Sequence, residues 1–159
     1  SLNGLKIIRL KPEKDDSDTQ SAVNHMISEG SREILILGAT GTRLDHVLAN
    51  LGLLSMGREK GVHIALADQW NYITLVDSGT VLKKEEQFGK YVSLIPYTAQ
   101  VEHLYLAGFK YPLADYCLKG FRSIGVSNEI TEEQAEITFE NGILIVIESR
   151  DDAAMADES

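Results

Sequence analysis

Apolar residues follow two different rhythms along this 159-residue chain. In the first half, strand-like and helix-like segments alternate. Leu5–Leu10 is a short run rich in β-branched residues and predicts a strand. Ala22, Val23, Met26 and Ile27 then recur at helical spacing behind Ser17 and Gln20, whose separation is that of a capping box. This predicts a helix from about Asp18 to Glu29, closed by Gly30. Glu33–Leu37 is a continuous apolar run bounded by turn residues, which predicts a strand covered on both faces. After Gly38–Thr42, the spacing of Leu44, Val47, Leu48, Leu51 and Leu54 predicts a second helix starting near Thr42 and ending before Gly61. Val62–Ala67 follows as a third strand, giving a βαβα pattern.

From Asn71–Val76 onward the helical period disappears. Short strand-like runs follow at Thr80–Leu82, Tyr91–Pro96, Val101–Leu106, Ala135–Phe139 and Ile143–Ile147, the last behind an Asn141-Gly142 turn pair. The fold class expected is therefore α/β followed by all-β, a sandwich or barrel, with the boundary near Asp77–Gly79. Asp151, Asp152, Asp157 and Glu158 fall in a stretch without apolar patterning, so 151–159 is expected to be a disordered acidic tail.

Charge and composition narrow the function. Residues 1–78 carry eight Lys/Arg and ten Asp/Glu, whereas residues 79–159 carry seven and fourteen. A chain with net charge −9 concentrated in its second half is a poor candidate for gripping nucleic acid or an anionic membrane. The single Cys117 excludes an intramolecular disulfide and any all-cysteine metal site within one chain, which favours a reducing, cytoplasmic setting. No apolar run is long enough to span a membrane, and no signal peptide is visible at the start of the sequence.

Two loops that follow strands and open helices could carry chemistry, since α/β sheets collect ligands there. Lys14-Asp15-Asp16-Ser17-Asp18 sets three carboxylates beside one ammonium. Such hard oxygen donors suit Mg²⁺, and the same residues also serve as an N-cap and a complement to the helix dipole. In Gly38-Ala39-Thr40-Gly41-Thr42-Arg43-Leu44-Asp45-His46, small residues let backbone approach an anion at a helix N-terminus, and Arg43 can fork onto phosphate oxygens. The alternative is a tight turn with Thr42 and Asp45 as a capping pair. Neither a Walker loop nor a dinucleotide fingerprint is present, which disfavours a nucleotide-dependent oxidoreductase. His46 beside an acid is as well explained by structure as by catalysis, and Trp70 by local packing. In the β half, Gly125-Val126-Ser127-Asn128-Glu129 places a hydroxyl, an amide and a carboxylate in one turn-like segment able to read a polar ligand edge.

In this order, these segments resemble bacterial-type thiamine pyrophosphokinase. Lys14–Asp18 is similar to that family's Lys-Asp-x-Thr-Asp. Gly38–His46 with Leu48, Asn50 and Leu51 is similar to its Gly-x-x-Gly-x-Arg-x-Asp-His-x-Leu-x-Asn-Leu. Asn71 precedes an Ile-Thr-Leu as in the family, and Gly125–Glu129 is similar to its Gly-x-Ser-Asn-Glu. The resemblance implies a partial doubly wound parallel-sheet domain over 1–78 that binds nucleotide and metal. It implies a β-sandwich over 79–150 that binds thiamine and dimerises, with each cleft between the α/β domain of one subunit of a homodimer and the sandwich of the other. The implied reaction transfers the pyrophosphoryl group of ATP to the hydroxyl of thiamine, with Mg²⁺, in the cytoplasm.

By the same resemblance, Asp15 and Asp18 hold metal and act with Arg43 and Asp45 in catalysis. Lys14, Gly38, Thr40, Gly41, Thr42 and His46 line the nucleotide, while Ser127 and Asn128 contact thiamine. Ser17 and Thr42 stand where the family usually has Thr and Gly. The family also opens with further strands and helices bearing a Gly-Asp-Phe-Asp-Ser type loop that this sequence does not contain. The expectation is thus a truncated chain, either still an enzyme or a catalytically incomplete module that only binds or dimerises.

Overall fold

The computed structural model describes residues 16–41, 43–120 and 122–151, with the side chains of 16–18 left aside. The expected strand Leu5–Leu10, the residues Lys14, Asp15 and Thr42, and the acidic tail beyond Asp151 lie outside the described residues. Two compact units divide the chain between Gln69 and Trp70.

The first unit is α/β. Helix α1 spans Asp16–Ser28 and buries Val23 and Met26, which are one turn apart. It closes at Gly30, where the Ser31 N–H reaches back to the Met26 carbonyl and the Gly30 N–H to Ile27, satisfying carbonyls at the helix end. Strand β1 (Glu33–Leu37) pairs in parallel with β2 (His63–Ala67), Ile34 opposite Ile64 and Ile36 opposite Leu66. The crossover between them is helix α2, Leu44–Glu59, whose buried residues are Asn50, Leu53, Leu54 and Gly57. One expectation fails here. Ile34 and Ile36 are buried, but Leu35 and Leu37 remain 37% and 39% exposed, so β1 is covered on one face by the described residues. A continuous apolar run reports the chemistry of a strand, whereas coverage depends on which other segments reach each face.

The second unit is antiparallel β. Strands β3 (Asn71–Val76), β10 (Leu144–Ser149), β5 (Tyr91–Pro96) and β8 (Asn128–Glu129) lie side by side in that order. The facing sheet has the order β4 (Thr80–Lys83), β9 (Gln134–Thr138), β6 (Gln100–Ala107), β7 (Leu113–Lys119). Val92, Leu94, Leu144 and Val146 from one sheet meet Val101, Leu104, Leu106, Leu118, Ala135 and Ile137 from the other in a single buried cluster. Each of the valine, leucine and isoleucine side chains contributes about 1.5–3 kcal/mol on burial. The Asn141-Gly142 turn leads from β9 in one sheet to β10 in the other. The compact division falls before β3, which is hydrogen-bonded along its whole length to β10.

Strands β7 and β8 have no counterpart in the sequence pattern, and the reason for β7 is visible. Between Val101↔Leu118 and Leu104↔Tyr116, the two residues Glu102 and His103 oppose Cys117 alone. Between Leu104↔Tyr116 and Leu106↔Leu113, Ala114 and Asp115 oppose Tyr105 alone. The second bulge restores the register that the first displaces, which keeps Val101, Leu104 and Leu106 all facing the core. His103 and Asp115 both adopt left-handed backbone, φ 52° and 49°, and His103 Nδ1 meets Asp115 Oδ1 at 2.6 Å. Glu140 lies 3.9 Å from His103 Nε2.

Asp115 above all, then Glu140 and Glu102, raise the His103 pKa above the ordinary histidine value, against slight desolvation. A raised histidine pKa contributes stability that is complete below the unfolded pKa and is lost as pH rises through the folded one. His103→Asn, whose side chain tolerates the left-handed backbone, should therefore lose more stability relative to the parent at about pH 5.5 than at about pH 8.5. Urea midpoints of both proteins at the two pH values check this, and an equal difference at both would contradict it.

Candidate active site: two loops backed by buried polar residues

In the first unit, the loop between β1 and α2 begins at Gly38, which has φ 74° and donates its N–H to the Ala67 carbonyl at 3.1 Å. That backbone conformation excludes most side chains, so a glycine is required where the chain turns off the strand. Thr40 donates its hydroxyl to the Asp68 carboxylate, joining this loop to the end of β2. The Ala39 carbonyl accepts from Asn50 Nδ2 at 2.8 Å. Asn50 is 8% exposed, an amide on the otherwise apolar buried face of α2, and its role is to hold the loop down.

Arg43 occupies the N-cap of α2 with extended backbone, and its side chain makes no cap hydrogen bond. Its Nη2 lies 2.6 Å and its Nε 3.2 Å from the two Asp45 carboxylate oxygens, a forked pair at the helix mouth with both side chains exposed. Asp45 Oδ1 also accepts from the His46 N–H at 3.0 Å. The Arg43 guanidinium beside Asp45, aided by that N–H, holds the carboxyl below the usual carboxylate range. Gly41 is exposed and His46 half-buried within the same segment. The structure thus gathers Gly38, Thr40, Gly41, Arg43, Asp45 and His46 on one loop and helix start. Thr42, Lys14 and Asp15, with the Asp18 side chain, lie outside what is described.

In the second unit, the segment Gly125–Glu129 divides its labour. Gly125 lies so close beneath the Leu94 carbonyl of β5 that any side chain there would collide with it. Ser127 is exposed with φ 58°, and its N–H donates to Ser93 Oγ at 3.0 Å. Asn128 was expected to contact a ligand beside Ser127, but the structure turns it inward, 4% exposed. Its Oδ1 accepts from the Tyr111 and Glu129 N–H groups, and its Nδ2 donates to the Tyr111 carbonyl. The left-handed backbone of Ser127 ends just before β8, where Asn128 enters the strand opposite Val92. Glu129 is paired with Lys110 at 2.9 Å and Lys90 at 3.7 Å, and Lys110 holds its carboxyl below the usual range.

Three buried polar side chains stand out among the described residues: Asn50, Ser93 and Asn128. All three spend hydrogen bonds on backbone of, or next to, these two loops. The sequence placed Asn50 only within a motif, assigned Asn128 to thiamine by resemblance, and gave no role to Ser93 or Asp68. A serine flanked by apolar Val92 and Leu94 was the available signal for Ser93. Among the described residues, no cluster of three His, Cys, Asp or Glu side chains is placed to hold a metal ion. Nor is any helix long and apolar enough to cross a membrane.

Residues 1–66 match the family described as "Thiamin pyrophosphokinase, catalytic domain", and residues 79–144 match "Thiamin pyrophosphokinase, vitamin B1 binding domain". The thiamine pyrophosphokinase of Bacillus subtilis is 34% identical over 139 residues, covering 87% of this chain and 65% of the relative. Its crystal structure superimposes with a TM-score of 0.79 at 33% identity, over 84% of this chain and 63% of that one. A thiamin pyrophosphokinase family protein from Enterococcus faecalis gives 0.74 at 35% identity, over 92% and 70%. The chain therefore spans a little under two thirds of the Bacillus protein.

Loss of the Asn50 amide leaves the Ala39 carbonyl without its buried partner. Asn50→Leu should cost about 1–3 kcal/mol of stability. Urea unfolding followed by far-ultraviolet circular dichroism measures it, and a neutral result would show that Asn50 does not hold the loop.

Proposed function

The chain belongs to the thiamine pyrophosphokinase family, and from that premise we propose that it transfers the pyrophosphoryl group of ATP to the hydroxyl of thiamine. In this reaction the thiamine oxygen bonds to the β-phosphorus, the bond from that phosphorus to the AMP oxygen breaks, and the hydroxyl proton is lost. The observation that carries the reading is the Arg43–Asp45 fork at the mouth of α2, within the stretch that matches the catalytic domain. Transfers of this kind depend on positioning and on neutralising charge more than on a strong base. An arginine at a helix N-terminus suits phosphate oxygens, and Asp45 fixes its direction. With its pKa lowered, Asp45 is a weak proton acceptor near neutrality, so its assigned work is orientation.

Gly38, Thr40, Gly41 and His46 would line the nucleotide on the same loop, with Lys14 and Thr42 assigned there by resemblance alone. Ser127, exposed on its left-handed turn, would contact thiamine. Mg²⁺ would be held by Asp15 and Asp18, whose hard oxygens suit it, and when bound would offset phosphate charge. The described residues do not form a metal site by themselves. A homodimer is in keeping with the exposed apolar side chains Leu44 and Leu48 on α2 and Ile124 and Val126 beside Ser127. The single Cys117, an exposed free thiol, is in keeping with a cytoplasmic setting.

The test is AMP release from ATP and Mg²⁺ with and without thiamine. Thiamine-dependent AMP is expected, and Asp45→Asn should lower its rate about a hundredfold by releasing Arg43 from its orientation. Failure of thiamine to stimulate AMP release at any concentration would overturn the proposal and leave a chain that only binds or dimerises.

A further inference from the structure

We infer that Ser93, a residue of β5 outside every motif considered above, is a positioning residue of the thiamine-contacting loop and acts through Ser127. The inference rests on the reading of that loop as thiamine-binding.

A serine in the left-handed region is strained, and such a conformation persists only where its surroundings over-determine it. At Ser127 three restraints converge. Gly125 is wedged beneath the Leu94 carbonyl, which fixes the approach of the loop to β5. The Val126 N–H closes a turn on the Ser123 carbonyl at 3.0 Å. On the far side, Val92 of β5 pairs with Asn128, whose buried amide grips both backbone groups of Tyr111. These restraints place the residues on either side of Ser127, and the orientation of its own peptide is set by the Ser93 hydroxyl.

Ser93 is suited to this role by its position. Val92 and Leu94 point into the sandwich core, so Ser93 points to the opposite face of the sheet, where it is 8% exposed. Burying a hydroxyl costs free energy unless it finds a partner. It accepts from the Ser127 N–H, and that bond holds the peptide that aims the exposed Ser127 side chain. An alanine at position 93 would leave the same strand and core while removing only the acceptor. The Ser127 peptide would then relax toward ordinary backbone and carry its hydroxyl away.

Two measurements on the full chain test this. Thiamine titrations by calorimetry use the parent, Ser93→Ala, Ser127→Gly and the double variant. Amide hydrogen exchange at Ser127, without ligand, uses the parent and Ser93→Ala. Ser93→Ala should weaken thiamine binding about three- to tenfold. In the Ser127→Gly background it should change affinity by less than about twofold, since a residue acting through Ser127 has nothing left to act on. The Ser127 amide should exchange at least about tenfold faster in Ser93→Ala, while the Val92 and Leu94 amides keep their protection. Equal losses in both backgrounds, or unchanged exchange at Ser127, would overturn the inference and leave the thiamine reading intact. A flat titration with the parent chain would overturn the thiamine reading and the inference with it.

Discussion

Strand β10 is the element on which the second unit depends. Its backbone is paired on one edge with β3 and on the other with β5, six residue pairs on each side, and its first three residues are almost fully buried. It is also the last described strand in chain order, so both partners must wait for a segment far downstream before their inner edges are satisfied. An unpaired inner edge would leave buried peptide groups without partners, a cost that no side-chain packing could offset. The sandwich therefore forms as a whole through non-local pairing, with slow folding the expected consequence of that topology.

In each unit, the candidate loops are held by a few buried polar side chains. In the first unit, Asn50 reaches from the buried face of α2 to the Ala39 carbonyl and ties down the turn that leads to Arg43 and Asp45. In the second, Ser93 and Asn128 perform the same task for Ser127 and Tyr111. In each unit, a loop that would otherwise be free to relax is given one backbone path by a donor or acceptor that cannot turn to water. This is a common physical route to preorganisation: the polar group is buried, so its bond is worth keeping.

The bulged pairing of β6 and β7 shows a different kind of compensation. Two extra residues, one in each strand, keep the core alternation in step, and the side chains of those extra residues meet as the His103–Asp115 pair. The exposed carboxylates around His103 raise its pKa and give this part of the fold a response to pH.

Much of this was legible in the residues alone, because local chemistry repeats at the period of the element it builds. The helices around Val23 and Leu54, the parallel pair β1 and β2, the change to antiparallel β and the loop bearing Arg43, Asp45 and His46 all follow from spacing and turn residues. Membership of a family could be read from short motifs whose order along the chain is itself informative. What only the tertiary structure decided was direction. Asn128 turned inward although it neighbours an exposed Ser127, Leu35 and Leu37 stayed partly exposed within an apolar run, and β7 formed although Asp115 interrupts its alternation. The apolar neighbours of Ser93 marked it as a polar residue in a buried strand but not its partner, which lies in a distant loop. Periodicity is a property of neighbours in the chain, whereas facing, register and hydrogen-bond partnership are settled between segments distant in sequence, where one residue's shift reverses which side it shows.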